Sequence, residues 1–277
     1  MIKETGSIKL NDKINIGGKS PFVLLAGPCV AESKELLHLI AKEMKSICED
    51  LDIPYVFKAS FDKANRSSIN GYRGPGIDTG LAWLKEIKET YDLPIVTDIH
   101  NPNQCAQVAE VADILQIPAF LCRQTDLVKA AADTGKIVNV KKGQFLSPWE
   151  AQNIVDKVKS CGNEKVMITE RGCSFGYNNL VVDPRSFPVI RNMGVPVVFD
   201  GTHSVQLPGG LGSSTGGQRE FIPNLTRAAV ANGIDSLFME VHPEPEKGLS
   251  DPTTMYHLDK MKDLLIQLKK IDQLVKA

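Results

Sequence analysis

The sequence predicts a single closed (β/α)8 TIM barrel with a short N-terminal β-hairpin. Three observations predict it. Eight short apolar runs recur along the 277 residues, stretches of helical period separate them, and several runs end in a polar or charged residue. Near-continuous apolar runs are what parallel strands covered on both faces require. Eight strand–helix units fit the roughly 250 residues that a closed barrel takes. The rival is an open doubly wound sheet. It is disfavoured because no G-x-G-x-x-G follows the first run.

Taken in order, residues 6–18 hold two short alternating runs around Asn11–Asp12 and read as a hairpin. Residues 1–20 are assigned to this hairpin, as a cap on the barrel's N-terminal face, and residues 21–277 to the catalytic barrel. The predicted strands are Phe22–Cys29, Pro54–Ser60, Pro94–His100, Ile114–Ala119, Ile137–Lys142, Val166–Gly172, Val195–Thr202 and Ser236–Pro243. Predicted helices include Ser33–Cys48, Thr79–Tyr91, Pro148–Ser160 and Thr254–Val275. Ser33 suits an N-cap and Glu35 a first turn, where a carboxylate faces the positive end of the helix dipole. The segment Pro208–Gly217 is too glycine-rich for a packed element. It reads as a loop whose amides and hydroxyls close over an anion.

Composition narrows the function classes. The chain is 42% hydrophobic, enough to order a core, so disorder is excluded. Its 32 Lys+Arg against 33 Asp+Glu leave a net charge of -1, which argues against nucleic acid as a partner. No apolar run reaches the ~20 residues of a membrane-spanning helix. The start, Met1–Lys9, lacks the apolar core of a signal peptide. Six scattered cysteines without a C-x-x-C pair read as free thiols of a cytoplasmic protein.

A barrel places its chemistry at the C-terminal strand ends. Lys58, Lys63 and Arg66 follow the second run, with Arg73 in the loop beyond. Lys141 and Lys142 end the fifth, and Arg171 ends the sixth. So many cations at one rim of a chain with almost no net charge imply an anionic ligand with more than one phosphate or carboxylate. Cys29, His203, Glu240 and Asp251 fall at or after runs one, seven and eight, which closure makes neighbours. Thiol, imidazole and carboxylates form a set suited to a divalent transition metal. His242 shares a face with Glu240 and is a rival ligand. Asp98 ends the third run, where it either orients a hydroxyl or handles a proton. Gln116 lies in the fourth run, and Arg123 follows it.

These motifs resemble the 3-deoxy-D-manno-octulosonate 8-phosphate synthases. The matching strings are A-G-P-C-V-A-E-S, F-K-A-S-F-D-K-A-N-R-S-S, T-D-I-H, L-Q-I-P-A-F-L-C-R-Q-T-D-L, N-V-K-K-G-Q-F-L-S-P, T-E-R-G, T-H-S-V-Q-L-P-G-G and E-V-H-P-E-P. They span nearly all of the chain after the hairpin. The resemblance implies condensation of phosphoenolpyruvate with D-arabinose 5-phosphate, release of inorganic phosphate, and a product used for the Kdo sugar of lipopolysaccharide. It implies a homo-oligomer, commonly a tetramer. By position it assigns phosphoenolpyruvate to Lys58, Lys63, Lys141 and Arg171. It assigns the pentose phosphate to Asn65, Arg66 and Ser67, with Asp98 near the reacting end of the sugar. Gln116 and Thr215 join the expected substrate contacts, and Arg123 is expected in a neighbouring subunit's site. Cysteine rather than asparagine at position 29 resembles the metal-dependent branch, so Zn, Fe, Mn or Co is the expected cofactor, with His203 near both metal and chemistry. Thr215 stands where relatives often have serine.

Three alternatives remain at this point. One is a 3-deoxy-D-arabino-heptulosonate 7-phosphate synthase, where K-P-R-T-S usually replaces K-A-N-R-S-S. The others are a Schiff-base aldolase using Lys141 or Lys58, and a non-catalytic sugar-phosphate binder.

Overall fold

The computed structural model describes residues 4–210 and 215–277. Its N-terminal hairpin pairs β1 (Ile8–Lys9) with β2 (Asn15–Ile16) antiparallel. Asn11 makes the turn, its side-chain oxygen accepting from the amides of Lys13 (2.9 Å) and Ile14 (2.8 Å), the local bonding that suits asparagine to turns.

The barrel follows in strict alternation. It runs β3 (Val23–Gly27), α1 (Lys34–Asp50), β4 (Tyr55–Lys58), α2 (Ile77–Tyr91), β5 (Ile95–Asp98), α3 (Cys105–Ala109), β6 (Ile114–Ile117), α4 (Thr125–Asp133), β7 (Ile137–Lys141), α5 (Ala151–Ser160) and β8 (Val166–Glu170). A small antiparallel pair comes next, β9 (Cys173–Ser174) and β10 (Leu180–Val181), and then α6 (Ser186–Arg191) and β11 (Val197–Asp200). The chain continues through β12 (Gln206–Leu207), β13 (Gly216–Gly217), α7 (Ile222–Ala231), β14 (Ser236–His242), β15 (Tyr256–His257) and α8 (Met261–Lys276). Parallel pairing runs β11-β8-β7-β6-β5-β4-β3-β14, and β11 also pairs β14. The eight-stranded ring is closed.

Ser33 caps α1 by accepting from the Leu36 amide, with Glu35 in the first turn. The strands are a few residues shorter than their apolar runs, because the terminal polar residues leave the ladder to form the rim. Two expectations are corrected. The last helix begins at Met261 rather than Thr254, because Tyr256–His257 pairs in parallel with Val241 and His242 and extends the sheet. The glycine-rich segment is not wholly loop: Gly216–Gly217 pairs with Gln206–Leu207. A side chain at position 217 would meet Thr254 Cγ2 at 2.2 Å, so glycine lets this strand lie against the segment that precedes β15. Residues 211–214, the middle of that segment, and Met1–Lys3 lie outside the described residues.

Alternate strand residues divide the apolar residues into two cores. One lies between strands and helices and includes Leu24, Phe57, Leu115, Ile168 and Phe199. The other fills the barrel's lower lumen with Leu25, Val56, Val96, Ile114, Ile137, Met167, Val198 and Phe238. Ile8, Ile14 and Ile16 of the hairpin belong to that inner core, so the hairpin closes the N-terminal end of the lumen as a hydrophobic plug.

Candidate active site

In seven of the eight barrel strands the inward residues change character two positions further along; in β3, Leu25 is followed by Gly27. Val56 is followed by Lys58, Val96 by Asp98, Ile114 by Gln116, Ile137 by Asn139 and Lys141, Met167 by Thr169 and Arg171, Val198 by Asp200, and Phe238 by Glu240. All of these polar residues are buried. Such groups are tolerated only when paired or liganded, and most of their partners can be named.

At one pole, Lys58 Nζ donates to the Cys29 carbonyl (2.9 Å) and to Glu240 Oε1 (2.5 Å). Lys63 Nζ lies 3.6 Å from the same carboxylate oxygen. Burial works against the Lys63 ammonium, yet Cys29, Glu240, Asp98 and Asp251 around it raise its pKa above the ordinary lysine range. The strands approach closely here. A side chain at Gly27 would lie 2.0 Å from the Lys58 carbonyl, which accounts for the glycine of A-G-P-C.

Single ligand atoms of Cys29, Glu240 and Asp251 lie within 4.8 Å of one another. Cys29 Sγ is 3.0 Å from Ser250 Oγ and 3.3 Å from Asp251 Oδ2. Asp251 holds a left-handed backbone, φ 49°, the kind of local strain that collects at sites. His203 Nε2 flanks the group, 3.6 Å from Glu240 Oε2 and 3.9 Å from Asp251 Oδ2. His242 does not join it: its Nδ1 accepts from the Glu244 amide (2.9 Å), and its Nε2 is 3.9 Å from Glu32. Asp200 Oδ2 lies 2.8 Å from His203 Nδ1, an ion-pair distance without hydrogen-bond geometry.

These residues fit a divalent ion. Glu240 Oε2 is buried without a hydrogen-bond donor. Burial and the Glu240 charge push the Cys29 thiol well above its ordinary pKa, so thiolate ligation needs a nearby cation beyond the lysines present. Sulfur, imidazole and carboxylate together suit Zn, Fe, Mn or Co better than Mg or Ca.

Across the lumen, Lys141 Nζ donates to Asp200 Oδ2 (2.8 Å) and sits 3.9 Å from the centre of the Phe238 ring. Burial would raise the Asp200 pKa, but the His203 and Lys141 charges hold it far below the usual carboxylate range. Arg171 donates from Nη2 to Gln206 (2.8 Å), while its buried Nη1 has no partner. Gln206 also reaches Asp251 at 3.4 Å. Arg66 Nη2 donates to Ser250 Oγ (2.7 Å), and its Nε is buried without a partner. Ser250 thereby joins the Cys29 cluster to the arginine of K-A-N-R-S-S.

Asp98 is buried, with its two oxygens accepting from Ser60 Oγ and from Gln116 Nε2 (2.7 Å). Burial raises its pKa, but Lys58, Lys63 and Lys141 outweigh that and hold it far below the ordinary value. An ionised carboxylate is an acceptor only.

The remaining expected residues stand further out. Asn65 and Ser67 are exposed on the loop that carries Arg66. Thr215 is tied through its carbonyl to Thr253 Oγ1 (3.2 Å). Arg123 is exposed in the turn before α4, its carbonyl accepting from Lys157 (3.3 Å). Among the described residues, no hydrogen bond or ion pair joins its guanidinium to the lumen. Lys142 and Arg73 are not part of the lumen set. Lys142 is buried on the outer face against Cys173 (3.1 Å), and Arg73 pairs with Asp62 at the surface. Sequence reasoning missed Asn139, Thr169, Asp200 and Ser250. Asp200 offered a signal, a carboxylate at the end of an apolar run; Asn139 and Thr169, inside runs whose lumen face the pattern does not mark, and Ser250 offered none.

A family model described as the DAHP synthetase I family matches residues 5–277. A 2-dehydro-3-deoxyphosphooctonate aldolase of Geotalea daltonii is 56% identical over 100% of both chains. Its namesake from Trichlorobacter lovleyi is 57% identical over 95% of this chain and 97% of its own. One from a Cyanothece species is 55% identical over the same shares, 95% and 97%.

Proposed function

This chain belongs to the DAHP synthetase I family, and we propose that it joins phosphoenolpyruvate, D-arabinose 5-phosphate and water to give 3-deoxy-D-manno-octulosonate 8-phosphate and inorganic phosphate. Relatives 56% and 57% identical over at least 95% of both chains carry the corresponding aldolase name. The observation in the molecule that carries the reading is the convergence of Lys58, Lys63, Lys141 and Arg171, all buried, on one lumen of a chain whose net charge is -1. Such a concentration of cations suits two phosphorylated substrates held side by side.

In this reading Lys141 and Arg171 hold the phosphoenolpyruvate phosphate, with Arg171 Nη1 as its free donor. They stabilise the charge that grows as phosphate leaves. Lys58 and Lys63 face the carboxylate end. Asn65, Arg66 and Ser67 take the pentose phosphate, and Asp98 accepts from a sugar hydroxyl so that the aldehyde faces the enol carbon. The new carbon–carbon bond forms between that carbon and the aldehyde carbon. Water adds to the carbon bearing phosphate, and the carbon–oxygen bond to phosphate breaks. Cys29, His203, Glu240 and Asp251 would hold the divalent ion, whose contribution when bound is Lewis acidity and orientation of oxygen groups.

The exposed position of Arg123 outside its own lumen supports its service in a neighbouring subunit, and with it a homotetramer. The six unpaired cysteines support a cytoplasmic setting. No described helix is long and apolar enough to cross a membrane.

The test is phosphate release from phosphoenolpyruvate with arabinose 5-phosphate or erythrose 4-phosphate, before and after chelation. Turnover with the pentose, lost on chelation and restored by a single divalent ion, is expected. Preference for the four-carbon sugar would make the chain a heptulosonate synthase instead.

A further inference from the structure

Three buried side chains on adjacent strands form one line of hydrogen bonds that ends on Asp98. Thr169 of β8 donates its hydroxyl to Asn139 Oδ1 (2.7 Å), Asn139 of β7 donates from Nδ2 to Gln116 Oε1 (3.0 Å), and Gln116 of β6 donates from Nε2 to Asp98 Oδ1 (2.7 Å). Thr169, Asn139 and Gln116 are each 0% exposed. Parallel register places Asp98 beside Gln116 and Gln116 beside Asn139, so these links cross the sheet nearly perpendicular to the strands, and the last runs diagonally, because Thr169 stands beside Lys141.

The line has only one consistent direction. An ionised carboxylate only accepts, so Gln116 must turn its NH2 group to Asp98. Its carbonyl oxygen then faces Asn139 and needs a donor, which only the Asn139 NH2 supplies. The Asn139 oxygen in turn takes the Thr169 hydroxyl. Each link polarises the next, and a break at the far end leaves a buried group unpaired. Gln116 thus uses one N–H and one lone pair of its amide within the line, and its second N–H and lone pair are not spent there. Ser60 supplies the other Asp98 oxygen. Each carboxylate oxygen keeps further acceptor capacity toward the open lumen.

We infer that Thr169, Asn139 and Gln116 are positioning residues that lock Asp98 as a fixed acceptor for a hydroxyl of the sugar phosphate, so that this line governs sugar binding and leaves phosphoenolpyruvate binding untouched. The identity of the sugar rests on the function proposed above; the relay does not.

Thr169→Val keeps the shape and removes only the hydroxyl, and Thr169→Ser restores it. In Thr169→Val the KM for arabinose 5-phosphate is expected to rise about tenfold, about 1.4 kcal/mol of sugar binding lost as Asp98 is held less firmly. The KM for phosphoenolpyruvate should stay near wild type, and Thr169→Ser should recover both values. An equal rise in both KM values, or no recovery with serine, overturns the inference. A readout independent of turnover uses 15N-labelled Asn and Gln side chains. Thr169→Val should shift the amide signals of both Asn139 and Gln116 and speed their hydrogen exchange. A change confined to Asn139 means the links are not coupled, and the relay is wrong. If wild-type protein releases no phosphate with arabinose 5-phosphate, the functional reading fails while the amide signals still judge the relay.

Discussion

The lower and upper halves of the barrel lumen are built by the same strands and differ in almost every physical property. In β7 alone, Ile137 packs in the inner apolar core, Asn139 is a link in a hydrogen-bond line, and Lys141 is an ion-paired cation. Two residues of strand span about 7 Å, so β4 passes from hydrocarbon at Val56 to charge at Lys58 within that distance, and β7 from Ile137 to Lys141 within about twice it. The lower half is sealed by Ile8, Ile14 and Ile16, and its stability comes from packing. The upper half is a set of paired charges that would be costly to bury unpaired. Stability and chemistry are thus separated along the strand axis. Substitutions at the two levels should fail in different ways.

The largest effect is expected above. Glu240→Ala removes the partner of Lys58, whose side chain is only 1% exposed. An uncompensated buried charge costs about 3–5 kcal/mol, read as a fall in denaturant midpoint. On the proposed metal site, the same variant should retain no divalent ion by elemental analysis, and turnover should fall by more than ~100-fold, beyond what outer-shell changes at metal sites cost. Retained metal and turnover would remove Glu240 from the site.

Below, Ile114→Ala should cost a similar ~2–5 kcal/mol through transfer and cavity terms. The folded fraction should keep both KM values and its metal. A selective loss of substrate affinity would mean that the two halves are mechanically coupled and that the separation drawn here is false.

Sequence shows this division unevenly, for physical reasons. Polar residues that end an apolar run, such as Lys58, Asp98 and Arg171, stand out because a buried strand otherwise avoids them. Asn139 and Thr169 lie within their runs. A strand covered on both faces gives no sign of which alternate residue looks into a lumen, so they read as ordinary strand positions. Asp200 was visible in D-G-T-H, yet its role depends on Lys141 meeting it from 59 residues away. Ser250 meets Cys29 across 221 residues, a proximity that only closure of the barrel creates. The last helix was overextended because the amphipathic pattern cannot report that Tyr256–His257 finds a strand partner.

Acid separates the halves without cutting any side chain. Asp98 and Asp200 have folded pKa values depressed below the ordinary ~3.9 of aspartate. A depressed carboxylate contributes stability above its unfolded pKa and loses it as pH falls toward the folded value. Stability should therefore decline as pH drops from about 5, and upper-half pairs should account for the decline. Asp200→Asn should be less stable than wild type at pH 7, and the gap should narrow by pH 3. Ile114→Ala has no titrating group at its site, so its gap should stay constant. Thermal melts across that range decide it, and a constant gap for Asp200→Asn would place the acid sensitivity elsewhere.

The smallest expected effect asks whether the hairpin plug belongs to the lower core or merely rests against it. Ile16 is fully buried and shares the inner cluster with Ile137. Ile16→Val removes one methylene and should cost about 0.5–1.5 kcal/mol, as should Ile137→Val. If the plug and the barrel unfold as one unit, both costs appear in global stability. Amides of β1 and β2 should then exchange at the same free energy as those of the barrel strands. If the plug opens separately, Ile16→Val leaves the global midpoint unchanged and speeds exchange only within residues 6–18. The geometry favours one unit. Three isoleucines from a segment of about a dozen residues enter a core shared by all eight barrel strands, and opening the plug would expose that shared apolar floor to water at a cost proportional to its area. The double variant sharpens the point, because residues sharing one core deviate from additivity by 0.5 kcal/mol or more, whereas independent units add.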